Sequence, residues 1–110
     1  MDQIYQVTLR EKQTRLKDYM GDCEMMLGTE KLCEENKQKL SNLLKTLDQV
    51  HKDIIAIQVG YTKIPDEKFF KNAKFTIFGI FKGLPTSTQE TLKDHLISIQ
   101  YIEHLGKNSK

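Results

Sequence analysis

Side chains able to do covalent or acid–base chemistry are few in this 110-residue chain, and their spacing is wrong for most chemistries. Cys23 and Cys33 lie too far apart for a zinc-knuckle or thioredoxin-like pair. They read as two small apolar thiols of a core. The alternative, a disulfide or redox switch, requires Cα atoms within about 7 Å. His51, His95 and His104 show no metal-ligand spacing with one another or with carboxylates. His51 borders one apolar stripe and His95 another, so both read as partly buried, hydrogen-bonded histidines. The acidic pairs Glu34–Glu35 and Asp66–Glu67 suit solvated faces and helix starts. No glycine loop could cradle a phosphate, and no Walker-type lysine or glycine-bracketed serine is present. The expectation is a non-enzymatic protein with no catalytic, metal or cofactor-binding residues.

The elements that would carry these side chains are helical. Leu, Lys, Glu and Gln dominate, and only Pro65 and Pro85 interrupt. The net charge of +2 implies no partner, but its distribution is uneven. Residues 1–59 carry nine basic and ten acidic side chains, about −1; residues 60–110 carry eight and five, about +3. The N-terminus lacks the apolar run of a signal peptide. The longest apolar region is broken by Lys71, Lys74 and Lys82, short of the roughly 20 residues that span a bilayer. With two cysteines, this points to a reducing compartment and a cytoplasmic protein.

The clearest pattern covers 30–64. Cys33, Leu40, Leu47, Ile54 and Tyr61 repeat every seventh residue, interleaved with Asn36, Leu43, Val50, Ile57 and Ile64. A heptad seam of this kind predicts a long helix, widened by Leu32, Leu44 and Ile55, N-capped by Thr29 and ended by Gly60 and Pro65. Asn36 reads as a seam position near solvent at the helix end; a register-fixing polar residue is the alternative. Residues 2–27 carry Leu9, Leu16, Met20, Cys23 and Leu27 at helical spacing and stop at Gly28. The short connection predicts an antiparallel hairpin. Reflection about residue 28 sets Leu16 against Leu40, Leu9 against Leu47 and Cys23 against Cys33. The second helix then overhangs the first from Ile55 to Ile64.

A third helix is predicted over 66–82, started by Asp66 and Glu67 and ended by a Schellman turn at Gly83–Leu84. Its Phe75–Phe81 run has high β propensity, so a strand is the alternative. A fourth helix follows a Ser87/Glu90 capping box, carries Leu92, Leu96, Ile99 and Ile102, and ends at Gly106. The fold expectation is all-α: an antiparallel bundle of about four helices, one domain over 1–106 and a flexible tail at 107–110.

Every phenylalanine lies in the third helix. At about 100° per residue, Phe69, Phe70, Ala73, Ile77, Ile80 and Phe81 share one core face. Phe75 and Phe78 fall on the other side, among Lys71, Lys74 and Lys82. Those two rings are covered by a neighbouring helix with the lysines snorkelling, or form an apolar protein contact with a basic rim, or rest on an anionic membrane. The leading expectation is a small interaction module, an adaptor or an inhibitor docking on a larger protein or on a second copy of itself. Its partner-binding residues would be Phe75, Phe78, Lys71, Lys74 and Lys82. One alternative is membrane-surface association of the bacteriocin-immunity type, an analogy of size and architecture. Another is weak nucleic-acid binding through Lys63, Lys68 and the lysines of the third helix.

Overall fold

The computed structural model describes residues 3–29 and 31–106. Its elements are α1 (Gln3–Thr29), α2 (Glu34–Gln58), α3 (Glu67–Lys82), α4 (Thr86–Ser98) and a closing 3₁₀ turn (Ile102–Leu105). Among the described residues there is no strand, and the fold is an all-α bundle. The tail expected at 107–110 lies outside the described residues.

The α2 seam buries Leu40, Leu43, Leu47, Val50, Ile54 and Ile57, at alternating steps of three and four residues. That spacing keeps branched side chains on one face of a helix, where removal from water stabilises each by about 1.5–3 kcal/mol. α1 answers with Leu9, Leu16, Tyr19, Cys23 and Met26. The two helices pack against each other.

The connection between them differs from the one expected. α1 runs through Gly28 to Thr29, whose hydroxyl donates back to the Met25 carbonyl (2.7 Å) and caps nothing ahead of it. α2 starts later, with Cys33 in the N-cap position and no side-chain cap. Glu34 and Glu35 instead set negative charge against the helix N-terminus. The turn is therefore centred midway between Thr29 and Glu34, not on residue 28, and the thiols part company: Cys23 is buried and Cys33 exposed.

α2 ends at Gly60, which has φ +83°, the left-handed conformation a glycine adopts without strain. Gly60 N–H donates to Ile57 O (3.1 Å) and Tyr61 N–H to Ala56 O (2.8 Å), the bond pair of a Schellman turn. Tyr61, expected in the seam, is thrown out to 86 % exposure. The overhang is thus shorter than predicted, and Ile64 returns only as a partly buried neighbour of the core.

α3 begins as its sequence requires. The Asp66 carboxylate accepts the Phe69 N–H (3.0 Å), and Glu67 occupies the first turn. The β-rich run inside it is helical because Phe70, Ile77 and Phe81 all reach the core on one face. Its end departs from expectation. Gly83 stays in the right-handed region at φ −83°, and Gly83 and Leu84 N–H donate three residues back, so no Schellman turn forms there. Leu84 is nonetheless buried.

α4 is shorter than predicted. Pro85 holds its N-cap position, and Ser87 lies inside the first turn without capping it. The joint is closed instead by the Gln89 amide, which donates to the carbonyls of Lys82 (3.1 Å) and Leu84 (2.9 Å). Past Ser98 the chain leaves the helix, and the 3₁₀ turn buries Ile102 and Leu105. Ile99 is buried ahead of it.

α1 and α3 are not neighbours. Each touches α2 on one flank and α4 with the 3₁₀ turn on the other. The long axis of 45 Å matches α1, about 40 Å at 1.5 Å per residue.

Candidate functional site

The five residues expected to form a contact surface on α3 are divided by the fold. Phe75 is 58 % exposed, and Lys71 and Lys82 point to solvent. Phe78 is only partly exposed and packs against the core, because α3 has neighbours on more than one side. Lys74 is drawn inward. Its Nζ donates to Glu103 Oε1 (2.9 Å), with side-chain exposures of 16 % and 13 %, and lies 5.7 Å from the Phe75 ring centroid. Burial pushes the Glu103 carboxyl up, but the Lys74 hydrogen bond, a backbone hydrogen bond and the Lys74 and His104 charges hold it below the ordinary range. Lys74 therefore joins α3 to the 3₁₀ turn, and the proposed pair of rings reduces to Phe75.

The core face also loses a member. Phe69 is 42 % exposed, its ring edge-on to Phe70 at 5.3 Å. It stands where two open concavities between α2 and α3 meet. The larger, about 400 Å³, is walled by Lys45, Gln49, Val50 and Asp53 of α2 and by Asn72, Ala73 and Thr76 of α3. The smaller, about 250 Å³, continues past Ala56 and Ile57 to Lys63 and Pro65 of the connection. Asp53 and Phe69 line both, which makes one groove. Inside it the Gln49 amide donates to Asp53 Oδ1 (3.0 Å). Ala73 was the readable sign of this hollow, since a small side chain on an apolar face leaves the neighbouring helix unmet.

Beyond Glu67, α3 carries no acidic side chain. Among the described residues, Lys45, Lys63, Lys68, Lys71 and Lys82 make no ion pair. The outer side of α3 thus carries unpaired lysines, and along the groove Lys45 and Lys63 outnumber Asp53.

The residues first considered for chemistry sit elsewhere. His95 Nε2 meets Asp22 Oδ2, and its ring stacks on Tyr19 at 5.1 Å, tying α4 to α1. The Tyr19 hydroxyl is buried without a hydrogen-bond partner among the described residues, and burial, helped by Cys23, pushes its pKa up. Burial, together with Asp22 and Glu24, pushes the Cys23 thiol up to about 12, so it stays protonated and unreactive at neutral pH. Burial lowers the His51 pKa; Asp48 opposes the shift and Lys17 adds to it, and His51 Nε2 has no hydrogen-bond partner among the described residues. Among the described residues no three His, Cys, Asp or Glu side chains are placed to hold a metal ion together. None of their helices is long and apolar enough to cross a membrane. No protein-family model, curated protein or solved structure matches the chain.

Proposed function

We propose that this chain is a small non-enzymatic interaction module, an adaptor or inhibitor that docks on a larger protein. Its contact surface is the outer side of α3, from the α2–α3 groove to Phe75. One observation carries the reading: Phe69, a large aromatic, stands half exposed at the junction of two contiguous hollows. An exposed ring beside a groove is available as an aromatic anchor at a protein interface, where a few such side chains supply most of the binding energy. The lysines around it would form a polar rim.

The test compares wild type with a Phe69→Ala/Phe75→Ser variant. Both rings are substantially exposed, so the variant should keep its far-ultraviolet circular dichroism and melt within a few degrees of wild type. Each protein is used as bait in host-cell extract and run on size exclusion with light scattering. The expected result is a complex, with another protein or with a second copy, that forms with wild type and is lost in the variant. Recovery of the same proteins by both baits, or of none by either from two monomeric samples, overturns the reading.

A further inference from the structure

We propose that the α2–α3 groove takes an acidic amphipathic helix of the partner protein, an inference that rests on the interaction-module reading. Three features converge on that occupant.

The first is shape. The groove follows α2 from Lys45 to Ile57, about 18 Å at 1.5 Å per residue. That length matches roughly three turns of a helix, enough for anchors at i, i+3, i+4 and i+7. A bilayer surface would rest on the convex crest of α3 and leave the hollow empty. A protruding side chain on a docked helix fills it.

The second is the lining. Val50, Ile57, Phe69 and Ala73 give the groove an apolar floor. Such a floor offers nothing to a phosphate backbone, and α3 has no arginine to grip one. It does suit leucine- or phenylalanine-sized anchors.

The third is charge. Lys45 and Lys63 line the groove on the α2 side and at its end. On the wheel of α3, Lys68 is the lysine nearest the groove wall, about 40° beyond Asn72. None of these three cations is paired among the described residues. Asp53, the acid in the wall, accepts the Gln49 amide and keeps its charge, so the three lysines outnumber it by two. A docked helix with glutamates or aspartates flanking its apolar stripe meets positive charge on both sides. A basic helix of the same shape meets repulsion, so the rim selects as well as attracts.

The experiment is a display selection of helical peptides against the intact chain. The library fixes leucines at i, i+3, i+4 and i+7 and randomises the flanking positions over Glu, Lys, Gln and Ser. The expected winners are rich in Glu. Measured as purified peptides by fluorescence anisotropy, they should weaken as salt rises and lose at least tenfold in affinity for Lys45→Glu/Lys63→Glu/Lys68→Glu. They should bind Lys17→Glu/Lys31→Glu/Lys93→Glu, which has the same net charge, close to normally. Phe69→Ala should also weaken them. Winners without Glu enrichment, equal losses in the two triple variants, or no winners at all would each overturn the proposal. Binding of wild type to phosphatidylserine vesicles or duplex DNA that disappears in the first triple variant alone, with no acidic peptide selected, overturns it in favour of that surface. The wider reading fails separately: a host partner lost with Phe69→Ala/Phe75→Ser but indifferent to the groove lysines leaves the interaction module standing and removes the acidic helix.

Discussion

Lys74 shows how far a single residue can move from its apparent role. On a helical wheel it belongs to a solvent-facing basic cluster; in the fold it is mostly buried against Glu103. The partner lies 29 residues on and reaches α3 only because the chain abandons α4 at Ser98. No periodicity encodes such a pair. The consequence is measurable. Replacing Lys74 by Met strands a carboxylate in a mostly dry site and should cost about 2 kcal/mol at neutral pH, less than the 3–5 of a fully buried pair because this one keeps some solvent. The sign with pH follows from the lowered folded-state pKa of Glu103. Its contribution is complete above the unfolded value, about 4.3, and is lost as pH falls through the lower folded value. Without Lys74, only the backbone hydrogen bond and the His104 charge oppose burial, so the contribution shrinks. Urea titrations at pH 7 and near pH 3 should therefore show wild type and Lys74→Met converging in acid; a gap that stays constant would refute the pairing. Asp66 was legible for the opposite reason, because a carboxylate three residues before the N–H it accepts is a local signal.

At the scale of elements, the four helices could be read because apolar spacing is a property of short windows. Their ends were harder. Gly60 and Gly83 look alike in sequence, yet only Gly60 takes the left-handed turn; Gly83 continues right-handed into the joint that Gln89 closes. Which glycine terminates a helix is decided by where the next segment packs. Thr29 fails as a cap for the same reason, since α1 runs past Gly28 and takes Thr29 as its last residue. Gly106 is the strongest case. It looked like a helix stop, but it is a point of contact: a Cβ there would lie 2.4 Å from both Cα and N of Glu67. Gly106→Ala must push backbone against backbone at the start of α3 and should cost about 1–3 kcal/mol. Gly21, mid-helix with nothing within 4 Å, makes the control; Gly21→Ala should gain about 0.5–1 kcal/mol. Thermal melts of the two variants should shift in opposite directions, and a shared direction would disprove the contact.

For the whole molecule, the decisive fact is that α1 and α3 meet only through α2 and the C-terminal segment. Tyr5 OH donates to Leu105 O (2.6 Å), Lys12 Nζ to Ser98 O (2.9 Å), and Lys74 holds Glu103 from the other side. Ile99, Ile102 and Leu105 fill the space between. Burial of three such side chains contributes about 5–9 kcal/mol, comparable to the whole stability of a domain this size. A chain ending at Ser98 should thus keep much of its helical signal but lose its cooperative melt and bind a hydrophobic dye; a sharp transition would show that the segment is dispensable. The bundle was readable from the sequence, whereas of the groove only Ala73 gave a sign. Its walls come from α2 and α3, and the residues that line it are far apart in the chain. The Tyr5–Leu105 bond, which joins residues 100 apart, also has a bearing on birth. α1 and α2 leave the ribosome first, with their leucine seam open on the side that α3 and the last turn will cover. Synthesis from Gln58 to Gly106 takes roughly 2–10 s at about 5–20 residues per second. During that interval the nascent pair of helices presents an uncovered apolar stripe, a natural substrate for a chaperone, and that stripe stays open until residue 106 has emerged.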